Sequence, residues 1–225
     1  IGATRTFRIM VALTDGFTTM LQGVPNSVVA LANTIDRVSE IYERDLNVRF
    51  SLVTNNAIIY DINSLNNPFL GITAHNPGFL GANLSLFDTI NSADYDLGHV
   101  FSQIGGGVAY RPSVCHIKSR PIPYDYQLKA GASSGIQNYP NEYFITTVAH
   151  EIGHQFGAGH THSSTTGSCG SNYSTTDSWE IAGGSSIMSY TFACAPLVYT
   201  TSSYHYFNAG SIRRMQSRMA ESICN

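Results

Sequence analysis

Residues 150–160 read H-E-I-G-H-Q-F-G-A-G-H. On a helix, His150 and His154 are one turn apart and project from the same face. That geometry suits two ligands of one tetrahedral zinc ion, and Glu151 beside the first ligand can hold a water on the metal's open side. Gly157 can take a positive φ, which ends the helix and turns the chain sharply. His160 then returns to supply a third ligand. Three neutral imidazoles with one open position describe a catalytic zinc site and not a closed structural one. The two positions added by the extension to HExxHxxGxxH are ones that chance rarely supplies.

The elements that must position this set can be read on either side of it. Asn141 can cap a helix from Glu142 to Phe156, which carries the first two histidines. Upstream, residues 6–13 (TFRIMVAL) read as a buried strand, with a turn at residues 14–16. Pro25-Asn26 opens a helix with Val28, Leu31, Ile35, Val38 and Tyr42 at helical spacing. Residues 48–53 (VRFSLV) and 97–102 (LGHVFS) read as further strands, and residues 57–60 as a continuation of the sheet. Residues 63–81 read as loop, followed by a short helix over residues 82–91. Alternation of strands and helices in this order predicts a largely parallel α/β half. Residues 157–208 are rich in Gly, Ser, Thr and Asn with little periodicity, and a last helix covers residues 209–223. An irregular stretch of that length is functional or pinned by cross-links. The expectation is one domain in two lobes, residues 1–157 and 158–225.

Composition excludes several classes. The chain has 225 residues and 24.4 kDa, enough for one sizeable core. No apolar run reaches the roughly 18 residues of a membrane span, and an aromatic content of 11% is incompatible with a disordered chain. A net charge of −3, with Lys118 and Lys129 as the lysines, offers no footprint for nucleic acid. Charged residues make up 12%, and four cysteines allow two disulfides in an oxidising compartment. Together with a first residue Ile1, this points to a mature, secreted form that has lost a leader or propeptide.

Ser186-Ile187-Met188-Ser189-Tyr190 follows the histidine motif, with Met188 lying 28 residues after His160. HExxHxxGxxH followed by such a methionine is the metzincin signature. Within that clan the chain resembles reprolysin-type (adamalysin-like) proteases, secreted bacterial members above all. The helix ending IDRVSEIYERDLNVRFSLV, the segment DYDLGHVFSQIGGGVAY and AHEIGHQFGAGHT occur in the order that such proteases show. The resemblance implies an α/β (α+β) zincin-like fold. This has a twisted, mostly parallel sheet with an antiparallel edge strand, an active-site helix, and a small irregular C-terminal part ending in a helix. It implies one catalytic zinc, Glu151 as general base and acid, and Met188 as a hydrophobic floor beneath the histidines. Gly106, Gly107, Val108, Ala109 and Tyr110 would form the edge strand that takes an extended peptide by main-chain hydrogen bonds, the alternative being a plain flexible turn at the glycines. Thr191 to Ala195 would wall part of the S1′ pocket. The implied disulfides are Cys115–Cys224 and Cys169–Cys194. The protein would act as a secreted, monomeric endopeptidase with a protein or peptide substrate and no nucleic-acid or membrane partner. A narrow-specificity toxin and a silent binding module on the same scaffold are the alternatives.

Two positions depart from the reprolysin pattern. Thr161 stands where Asp usually follows the third histidine, and Tyr190 stands two residues after Met188, as in astacins and serralysins. Tyr190 accordingly has two readings, a catalytic hydroxyl and a packing residue. Asp94 and Asp96 are candidates for a Ca2+ site of the kind some reprolysins have, or for local capping. His162 reads as a neighbour of the site or a solvent-facing residue, and His75, His99, His116 and His205 as structural. Asn83 and Asn172 fit the N-glycosylation pattern.

Overall fold

The run from Arg5 to Leu13 forms β1, one strand in from the edge of a five-stranded sheet. Its neighbours are β2 (Val48–Val53) and β3 (Leu97–Ser102), both parallel to it. β5 (Ala132–Gly135) lies parallel to β3, and β4 (Gly106–Ala109) pairs antiparallel with β5 at the edge. The structure, a computed structural model, describes residues 3–116, 128–196, 200 and 203–221.

Both faces of β1 are covered, so its sequence is a continuous apolar run and not an alternating one. Phe7, Ile9, Val11 and Leu13 face a core shared with α2 (Val24–Leu46) and α4 (Glu142–Gln155). Met10 and Ala12 face the opposite way, onto Phe79, Leu84 and Phe87 of α3 (Pro77–Phe87). Leu31, Ile35, Val38 and Tyr42 are the buried stripe of α2. The Tyr42 hydroxyl donates to the Ala149 carbonyl at 2.9 Å, fastening this helix to the one that carries the histidines.

Several expectations are corrected. Residues 14–16 are not a plain turn: the Thr14 hydroxyl accepts from the Phe17 amide and starts the short helix α1 (Asp15–Met20). α3 begins at Pro77 and ends at Phe87, because the Asn76 side chain caps it, with Pro77 in the first turn. Residues 57–60 contribute only a 3-10 turn and one bridge, Leu13 to Ile59. β4 ends at Ala109, so Tyr110 lies beyond the strand, although its amide still donates to Gly131 O.

After α4 the described chain has no α-helix or ladder strand until α5 (Ala209–Glu221), whose Met215 and Met219 pack into the main core. The Cys169–Cys194 disulfide closes this irregular region. The other expected bridge, Cys115–Cys224, involves a residue outside those described. No helix among the described residues is long and apolar enough to cross a membrane.

Candidate metal centre and cleft

The α4 helix starts at Asn141, whose side chain accepts from the Tyr143 amide, and ends before Gly157 at φ +96°. The turn that follows brings His160 back beneath the helix. One ring nitrogen each of His150, His154 and His160 lies within 4.8 Å of the others.

The opposite nitrogen of each ring is committed. His150 Nδ1 donates to Ile187 O at 2.7 Å, His154 Nδ1 to Ala158 O at 2.8 Å and His160 Nδ1 to Asn172 O at 2.9 Å. A carbonyl oxygen can only accept, so each proton sits on Nδ1 and each Nε2 carries a lone pair. His154 Nε2 and His160 Nε2 face each other at 3.0 Å. Two lone pairs at that distance repel unless a cation lies against them, and the donor set therefore fits a metal ion. Three imidazoles suit zinc. Burial holds the histidines neutral, pushing His150 down to about 4 and His160 to about 3, and placing His154 well below its usual value.

Glu151 is buried on the same turn, and its Oε2 has no hydrogen-bond partner among the described residues. Burial pushes its carboxyl up to about 8. β4 passes directly over it: a Cβ on Gly107 would lie 2.6 Å from Glu151 Oε1. Met188 is fully buried, with its sulfur in the space that a side chain on Gly153 would need. The Tyr190 ring packs 4.5 Å from that of His160 and 6.0 Å from that of His150. Burial, then the charge of Glu151, pushes its hydroxyl up to about 12. His162 is buried, not solvent-facing, and its ring stacks at 5.8 Å on His160.

Thr161 acquires a reason. Its hydroxyl donates to the Glu180 carboxylate, which also accepts from the Ser185 and Ser186 amides and the Ser186 hydroxyl. The Thr161 amide bonds Met188 O at 3.0 Å. Glu180 thus supplies, from 19 residues away, a carboxylate joining the third histidine's neighbour to the methionine turn. Nothing in the sequence marks it. Glu180→Ala strands several donors of buried residues and should cost about 3 kcal/mol in urea unfolding. A loss below about 0.5 kcal/mol, typical of a plain surface site, would refute this role.

Other candidates fall elsewhere. Asp96 is held by Arg8, through Nη2 at 2.8 Å and the backbone amide at 2.7 Å, while Asp94 is exposed on a 3-10 turn. The Lys129 ammonium takes the carbonyls of Ser92 and Tyr95. Fixed cations thus serve this loop, and Asp94 and Asp96 join no metal-sized group among the described residues. His75 bonds Ser133 and Ile104, His99 bonds Ser134, and His205 lies 3.7 Å from Glu142. Asn83 is buried and donates to Ala130 O, which bars a glycan there; Asn172 is half-exposed.

Two cavities meet at Gly107, Glu151 and Tyr190. The one of about 260 Å³ is walled by Tyr143, Thr146, Thr147, Ile187, Thr191 and Ala193, so the segment after Met188 does form part of it. The other, of about 590 Å³, runs along Val108, Ala109 and Arg111.

No curated protein sequence matches the chain. Among solved structures, one described as a chaperone–substrate complex aligns with 73% of this chain and 28% of its own, at 13% identity and a TM-score of 0.50. Metalloproteinase-II from Bacteroides fragilis aligns with 96% of this chain and 54% of its own, at 14% identity and a TM-score of 0.50. Myroilysin aligns over 96% and 93%, at 13% identity and a TM-score of 0.46. The chain therefore spans about a quarter and about half of the first two, and at these identities the likeness is one of fold. The family described as metallo-peptidase family M12B, reprolysin-like, matches residues 3–217. The chain belongs to the reprolysin-like metallopeptidases of family M12B.

Proposed function

We propose that the protein is a zinc endopeptidase in which His150, His154 and His160 hold the ion through Nε2 and Glu151 moves the proton. The observation that carries this is the trio of Nδ1–carbonyl bonds, which leaves three lone pairs converging beside an unpartnered buried carboxylate. Zinc supplies a Lewis acid that polarises a carbonyl and acidifies water. Glu151 accepts the proton of the attacking water and passes it to the departing amine. Its burial supports this role, because a carboxylate stripped of solvent is a stronger base. The Tyr190 hydroxyl, protonated and beside the histidines, donates to the oxyanion as it develops.

An extended peptide adds to the outer edge of β4, which among the described residues has a sheet partner on one side only. The cavity of about 260 Å³ takes the side chain that follows the scissile bond. Met188 supports the histidines from below without coordinating. The disulfide favours a secreted protein, and the protein acts as a monomer.

The test is cleavage of unfolded casein with and without a zinc chelator. Loss of cleavage on chelation, with recovery on zinc add-back, is the expected result. Cleavage that persists when zinc is absent by elemental analysis would refute the proposal. Intact casein beside stoichiometric zinc would point instead to a narrow-specificity protease or a silent scaffold.

A further inference from the structure

The second cavity differs from the first in charge. β4 runs from one to the other: Gly106 and Gly107 line the first, and Val108, Ala109 and Arg111 the second. Apart from Glu151, Arg111 is the charged residue of the second lining among those described. Its side chain is 42% exposed, and its contact with Asp177 is long, 3.5 Å to Oδ2. Asp177 is buried and makes its shorter bonds elsewhere, to Arg214 Nε at 2.9 Å, Ser174 Oγ at 3.0 Å and Thr176 Oγ1 at 3.2 Å. Two guanidinium groups on one carboxylate leave a net positive charge beside the cleft, and the Arg111 side chain is part-exposed there.

The placement is built and not incidental. A Cβ on Gly159 would lie 2.1 Å from Arg111 Nη1 and 2.4 Å from Asp177 Oδ2. The bare backbone next to His160 therefore lets the guanidinium lie against the floor of the cleft. Its charge reaches the site, being one of the smaller causes that lower His154 and His160.

We propose that this cavity is a subsite for an acidic side chain of the substrate, with Arg111 as the residue that reads it. The inference rests on the peptidase reading above. A peptide added antiparallel to β4 has its N-terminal half towards Arg111. Arg111 lies four positions beyond Gly107. At about 3.3 Å per strand residue, the Asp or Glu falls roughly two to four residues before the scissile bond. Arg suits a planar carboxylate, which its donors can grip in pairs.

Cleavage-site mapping on a peptide library, followed by kcat/KM on a matched Glu/Gln peptide pair, tests this. The wild-type enzyme should favour the Glu peptide about tenfold at low ionic strength, less so in salt. Arg111→Gln should bring the Glu/Gln ratio to within twofold of one, and Arg111→Glu should invert it. A wild-type ratio within twofold of one, or a ratio that Arg111→Gln leaves intact, overturns the subsite while the peptidase reading stands. No cleavage of any peptide by the wild-type enzyme overturns both.

Discussion

Glu151→Gln should give a protein that folds, holds its metal and, on the peptidase reading proposed above, turns over substrate about 10²- to 10⁴-fold more slowly, the usual worth of a positioned proton carrier. The amide has the shape of the carboxyl it replaces but cannot take a proton from water. Nothing in the described structure depends on the negative charge: Oε2 has no partner, and no cation is paired with the group. Burial disfavours the charged form, so the variant should unfold at the wild-type temperature or slightly above. Steady-state kinetics on a fluorogenic peptide, with zinc counted by elemental analysis, separates the two effects. Activity within tenfold of wild type would remove Glu151 from the mechanism; loss of zinc would make it a support of the site instead.

Gly107→Ala should lower kcat by about 10- to 100-fold through the geometry of the same residue. The added methyl would lie 2.6 Å from Glu151 Cγ and Oε1 and 2.8 Å from Cδ, well inside contact distance. Either the carboxyl or the edge strand must move, and a displacement of about 1 Å in a reacting group can cost a hundredfold. The site is half-buried at a sheet edge, so stability should fall by no more than about 1 kcal/mol. Unchanged kcat with altered KM would mean that the strand yields and the carboxyl stays.

What the sequence reveals follows from how each element earns its place. β2 and β3 match their expected limits because they lie among apolar neighbours and carry the residues to show it. β5 escapes notice entirely. Its residues, Ala132-Ser133-Ser134-Gly135, carry no strand pattern, yet all are buried between β3 and β4. Only small side chains fit there, since a Cβ on Gly135 would collide with Ile104 O. Without β5, the edge strand could be expected only by resemblance. The three histidines and Glu151 are legible because a helix fixes their spacing within one short motif. The groups that orient them are not: the Ile187, Ala158 and Asn172 carbonyls are backbone atoms that any residue could supply. Arg111 is hidden for a related reason, as its role depends on a glycine near His160 and an aspartate 66 positions away.

The Cys169–Cys194 bridge has a topological consequence. Asn172, Asp177, Glu180, Met188 and Tyr190 all lie between the two cysteines, so the irregular region meets the histidines largely from within one covalent ring. That ring also bears exposed Ile181 and Tyr173, on the kind of surface loop where proteases nick a chain. A molecule working among copies of itself is open to such nicks. A single cut between Cys169 and Cys194 yields two ends that remain on one molecule through sulfur, and the carbonyl that orients His160 stays tethered beside it.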